Sequence, residues 1–128
     1  MVKTAAILTI GLVLAGLALV PGAALARDAE AGKTAFNKCR ICHTVEAGGR
    51  SAAGPNLHAM FGRKAGAVAN YAYSPAMKDS GLLWDDASVA NYLRDPKGFM
   101  PGNKMAFPGI KDEKEMADLL AYLHQATR

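Results

Sequence analysis

Cys39-Arg40-Ile41-Cys42-His43 holds the only two cysteines of the 128-residue chain, separated by two residues and followed at once by a histidine. That is the spacing of covalent c-type haem attachment. Two thiols so placed reach the two vinyl groups on one haem edge, and the next residue sets an imidazole under the iron as proximal ligand. Other chemistries of a Cys-x-x-Cys pair fit less well. A zinc site needs a second ligand pair, and no further cysteine exists. A thioredoxin-like redox pair belongs beside a βαβ pattern, and none follows here.

A second iron ligand is sought among His58, His124 and the five methionines beyond the start residue. The segment from Lys97 to Ile110 is too punctuated by proline and glycine for regular structure, yet it carries Phe99, Met100, Met105, Phe107 and Ile110. A solvated loop does not need that apolar content, so it is expected to pack on something, with the distal haem face as the candidate. Met116 falls on the apolar face of a helix, Met60 beside Phe61 in a short apolar segment, and Met77 among polar residues. Met100 and Met105 share the right loop. Met105, held between Pro101-Gly102 and Pro108-Gly109, is the preferred ligand, and the two histidines read as surface or structural residues.

The elements that must position these groups are helical. A helix is expected over Asp28 to Lys38, with Asp28 as N-cap, Glu30 in the first turn, and Ala29, Ala35 and Phe36 as apolar positions. Gly32 inside it costs about 1 kcal/mol relative to alanine and calls for a packing reason, such as a close helix. Thr44 to Gly54 reads as loop, able to bring a backbone carbonyl to the proximal histidine. A short helix is expected over Asn56 to Phe61 and another from Ser74 or Pro75 to Lys78. Tyr71 and Tyr73 suit either a polar-tipped cavity wall or ordinary half-buried packing. Asp86 to Arg94 shows Val89, Tyr92 and Leu93 at helical spacing before Asp95-Pro96 stops it. Ahead of it sits Trp84, the only tryptophan, whose indole N–H needs an acceptor when buried. The last helix, Asp112 to about Thr127, has Met116, Leu119, Leu120 and Leu123 on one face and Asp112 and Glu115 as its cap pair. No segment alternates as a strand, so the fold class is all-α with long loops.

Residues 1–26 read as a targeting segment. Lys3 opens it, Ala5 to Val20 is uncharged, and Pro21-Gly22 precedes the small-residue site Ala24-Leu25-Ala26. An uncleaved anchor is the alternative, since about 18 apolar residues can span a bilayer. The Pro-Gly break and the Ala-x-Ala end favour cleavage after Ala26. Residues 27–128 then form a single small domain whose limited core would draw stability from a large apolar cofactor. Loss of Lys3 takes the formal charge of +4 to +3. This modest balance, without a run of Lys or Arg, excludes a nucleic-acid footprint. Export with covalent haem implies a periplasm or an equivalent compartment, with both thiols consumed as thioethers.

The ordered set Cys39 to Gly49, Gly54-Pro55-Asn56-Leu57-His58, Phe61-Gly62-Arg63-Lys64, Tyr71-x-Tyr73, Trp84, Tyr92-Leu93-x-Asp95-Pro96-Lys97, Pro101-Gly102-x-Lys104-Met105-x-Phe107 and Leu119-x-Ala121-Tyr122-Leu123 resembles the class I cytochromes c of the mitochondrial and purple-bacterial periplasmic type. The likeness covers residues 28 to 127. It implies one haem c on thioethers at Cys39 and Cys42, with His43 and Met105 as axial ligands of the iron. It further implies that Pro55 presents its carbonyl to His43, that Arg63, Tyr71, Tyr73 and Trp84 surround the propionates, that Tyr92 bonds the Met105 sulfur, and that Phe107 covers the exposed haem edge. Gly32 and Phe36 would meet Leu119 and Tyr122 where the terminal helices cross. Met77 stands where the mitochondrial members have asparagine, and Asn103 where many have threonine; both alter polarity near the iron, a determinant of potential. Gly98 and Asp112 replace lysines of the mitochondrial docking face, while Lys38, Lys97, Lys104 and Lys111 are retained.

The function so implied is that of a soluble, monomeric periplasmic electron carrier and not an enzyme. Its partners would be a quinol-oxidising bc-type complex on one side and a terminal oxidase, photosynthetic reaction centre or periplasmic reductase on the other, docked transiently through acidic faces. Two rivals, a peroxidase-like haem enzyme and a ligand-binding sensor, both need an open or easily displaced sixth site. No acid-base pair near the Met105 loop supports the enzyme.

Overall fold

Two helices meet where glycine lets them touch. In the computed structural model, which describes residues 26–128, α1 spans Ala29–Ala35 and crosses α5, Glu113–Ala126. A Cβ on Gly32 would lie 1.9 Å from the Asp118 carbonyl oxygen and 2.8 Å from the Tyr122 Cβ, so any side chain there would push the helices apart. Gly32 thus meets Tyr122 as expected and the Asp118 backbone besides, while Leu119 shares the buried core with Phe36. Phe36 follows on the same face and packs its ring 5.3 Å from that of Tyr122. The segment expected to direct export, 1–26, lies outside the described residues except for Ala26.

Local chemistry explains most boundaries. Asp28 caps α1 by accepting from the Glu30 and Ala31 amides, and the helix tightens into a 3-10 turn over Phe36–Lys38 that leads into Cys39. Ser74 caps α2, Pro75–Asp79, and Asp85 caps α3, Asp86–Arg94, through a reciprocal exchange with Ser88. Asp112 caps α5 by accepting from the Glu115 amide. The apolar faces of α1, α3 and α5 then join Phe36, Met60, Ile110, Met116, Leu119, Leu120 and Leu123 in one core, where Leu119 is 0 % exposed.

Two expectations need correction. Asn56 to Phe61 forms no helix, because the Asn56 side chain takes the His58 amide at 3.0 Å and Ala59 turns left-handed at φ 52°. Conversely, the punctuated segment after Asp95 holds a helical turn, α4, Pro96–Phe99: proline suits its first position and Asp95 caps it by accepting from the Gly98 amide. No named strand occurs among the described residues. Residues 62–65 and 82–84 nonetheless pair through Gly62 N–H to Trp84 O (2.7 Å), Trp84 N–H to Arg63 O (3.0 Å) and Ala65 N–H to Leu82 O (2.8 Å). That pairing fixes Arg63 and Trp84 together.

Candidate functional site

The helices and loops enclose one apolar cleft of ≈ 280 Å³ with Cys39, Cys42, His43 and Met105 all in its wall. Each is set there by its backbone. The 3-10 turn hands the chain to Cys39, and His43 N–H and Cys42 N–H both bond the Cys39 carbonyl at 3.0 Å, winding both thiols and the imidazole into a single turn. Ile41, between them, is 81 % exposed.

The His43 ring is held in one tautomer. Its Nδ1 lies 2.7 Å from the Pro55 carbonyl, which can only accept, so Nδ1 carries the proton and Nε2 keeps its lone pair. Burial pushes the pKa of His43 below the ordinary histidine range, outweighing the Pro55 contact that raises it. A neutral imidazole with a free ring nitrogen is a metal-ligand form. Gly54 makes the slot: a Cβ there would fall 2.4 Å from the His43 Cε1. Burial also pushes the Cys39 thiol up to about 11, against the lowering effect of Lys38.

Across the cleft, Met105 is half-buried in the wall, whereas Met100 is buried away from it. His58 and His124 also lie elsewhere. His124 stacks on Phe61 at 3.8 Å and pairs with Asp86, and His58 Nδ1 is buried without a partner.

Pro55, Arg63, Tyr71, Tyr73, Trp84, Tyr92 and Phe107 all line the cleft. The Arg63 guanidinium donates to the carbonyls of His58 (2.7 Å) and Asn56 (3.2 Å). The Tyr71 hydroxyl donates to Ala53 O at 3.0 Å, that of Tyr73 accepts from Val68 N–H at 3.2 Å, and the two rings meet edge-on at 4.8 Å. Trp84 packs 5.4 Å from Tyr92, and its indole N–H has no protein acceptor among the described residues. One expected contact is replaced: the Tyr92 hydroxyl donates to Asn103 Oδ1 at 3.1 Å and not to the Met105 sulfur, because the amide oxygen, a stronger acceptor, is within reach. Two thiols, a neutral imidazole and a thioether around one apolar slot fit the donor set of a covalently held haem.

Residues 29–127 match the family described as Cytochrome c. The chain belongs to the cytochrome c family. Cytochrome c-550 of Nitrobacter winogradskyi is 49% identical over 98 residues, covering 77% of this chain and 90% of that protein. Cytochrome c2 of Blastochloris viridis is 41% identical over 118 residues, 92% of this chain and 91% of its own. Among solved structures, cytochrome cH from Methylobacterium extorquens superposes with a TM-score of 0.72 at 46% identity, covering 77% of this chain and 98% of that one. The fold is that of the all-α class I cytochromes c, whose members bind haem c covalently and carry electrons without acting as enzymes.

Within this class I cytochrome c, the surroundings of the cleft also include residues that carry no site role in the sequence reading. Gly54 shapes the imidazole slot, and Met60 and Leu57 supply wall. The glycine directly before Pro55 was the available signal, since a loop passing an imidazole face has no room for a side chain. Of the four retained lysines, Lys38 and Lys104 line the cleft and Lys97 and Lys111 do not. Lys38 pairs with Glu115, and Lys111 reaches the Arg94 carbonyl. No helix among the described residues is long and apolar enough to cross a membrane.

Proposed function

We propose that this family member is a periplasmic one-electron carrier, exported by residues 1–26, in which Cys39 and Cys42 hold the haem by thioethers and His43 and Met105 close its iron. The observation that carries this reading is the placing of a tautomer-fixed His43 and of Met105 in the wall of one cleft that also holds both thiols. When bound, haem c supplies a one-electron couple whose potential methionine ligation raises.

The chain's own residues do the rest. Pro55 keeps the proton on His43 Nδ1 and so the lone pair on Nε2. Arg63, Tyr71, Tyr73 and Trp84 offer a cation, hydroxyls and a free indole N–H at the polar end of the cleft, suited to carboxylates. Phe107 and the Met105 loop keep water from the other face. Lys104 at the cleft mouth, with Lys38, Lys97 and Lys111, gives a basic surface for acidic docking faces. The partners proposed are a quinol-oxidising bc-type complex as donor and a terminal oxidase, photosynthetic reaction centre or periplasmic reductase as acceptor.

The test is an absorption spectrum of the exported ferric protein with and without Met105→Ala. The wild type is expected to show the weak far-red band of methionine-sulfur ligation and the variant to lose it. A high-spin wild type, or a band that survives the substitution, would make another residue the ligand or leave the iron open.

A further inference from the structure

Asn103 ties the Met105 loop to α3 and α4 through four hydrogen bonds. Its Oδ1 accepts from the Met105 amide at 2.9 Å and from the Tyr92 hydroxyl at 3.1 Å. Its Nδ2 donates to the carbonyls of Pro96 and Met100, each at 2.8 Å. The amide orientation is fixed by its partners: a backbone N–H can only donate and two carbonyls can only accept, so a flipped amide would set like against like. All four bonding positions of the carboxamide are therefore used, in a half-buried site.

The geometry points to Asn103 as the positioning residue of Met105: one carboxamide clasps the Met105 backbone to α3 and α4, and accepts the hydrogen bond that the Tyr92 hydroxyl donates. This rests on Met105 being the iron ligand. The other ties are few and less direct. Lys104 donates its exposed Nζ to the Ala72 carbonyl at 2.5 Å, Phe107 N–H returns to the Met105 carbonyl at 3.1 Å within the loop, and the next backbone bond to α3 is Ile110 N–H to Leu93 O at 2.9 Å. A threonine at 103 has a single oxygen and cannot fill four roles. The clasp thus sets how often the loop swings out, and an outside ligand binds with an apparent dissociation constant divided by that open fraction.

The experiment is an imidazole titration of the ferric holoprotein, with the far-red band recorded first. Asn103→Ala is expected to keep the band, the ligands being unchanged in the closed state, and to bind imidazole about tenfold or more tightly. Tyr92→Phe is expected to shift the same way by less, and the double variant to stay within about twofold of Asn103→Ala, since both act through one clasp. Asn103→Thr, expected to lie between wild type and alanine, serves where the alanine variant fails to retain haem. A wild type lacking the band overturns the ligation reading and this inference with it. A wild type with the band, and imidazole affinity unchanged at Asn103→Ala or its threonine substitute, overturns the inference alone.

Discussion

Ala59 sits at φ 52°, a left-handed conformation that a side chain disfavours and glycine does not, and its amide bonds the Thr127 carbonyl. Ala59→Gly is therefore expected to stabilise the holoprotein by up to about 1 kcal/mol, seen as a higher denaturant midpoint with an unchanged slope. An unchanged or lower midpoint would mean that the turn is not strained. The strain was invisible in the sequence because alanine is the residue least suggestive of a turn, and Asn56 to Phe61 was instead expected to be helical. The residues proposed to hold the haem were easier. Cys39, Cys42 and His43 announce their chemistry by spacing alone, and the Pro-Gly pairs on either side of Met105 single it out from Met100 in the same loop. What spacing could not supply was the direction of the Tyr92 hydroxyl, which depends on which acceptor stands nearer in three dimensions.

The crossing of α1 and α5 has the least tolerance in the fold. Gly32→Ala places a methyl group against the Asp118 backbone carbonyl, which cannot swing aside as a side chain would. A loss of about 3 kcal/mol is expected from overpacking, measured by chemical denaturation and accompanied by faster amide exchange along α5. The same junction carries a pH dependence. The Asp118 carboxylate accepts from Lys114 Nζ and from the Asp28 amide at the start of α1, and the Lys114 hydrogen bond chiefly holds its pKa below the usual carboxylate range. With the folded value depressed, the stabilisation is full above the ordinary carboxyl pKa of about 3.9 and is lost as pH falls through the folded value. Asp118→Asn should flatten that acid limb of the stability profile; a limb identical to that of the wild type would place the dependence elsewhere. The helices themselves were readable because α3 and α5 keep their apolar residues on one face and begin at aspartates. The helical turn at Pro96–Phe99 was not, since its Pro and Gly read as breakers until Asp95 is seen to cap it.

At the scale of the whole molecule, charge governs the approach to partners. With a formal charge of +4 and Lys104 free of any acidic partner among the described residues, electron-transfer rates with an acidic partner are expected to fall as salt rises. Lys38→Gln should change that slope less than Lys104→Gln, because Glu115 already offsets the Lys38 charge. Stopped-flow rates over a salt series would show it, and equal slopes would refute it. The sequence could count these lysines and could not say which were already engaged, because Lys38 and Glu115 lie 77 residues apart. Ile41 adds a contribution of a different kind. It stands 81 % exposed in the turn between the two cleft-lining cysteines. Lysines hasten arrival, but an apolar side chain that sheds its water on contact slows departure, and salt screens only the first of these. Were a partner to dock over this turn, the share of the contact that Ile41 supplies would not weaken with ionic strength, so each encounter would persist in brine even as encounters grow rare.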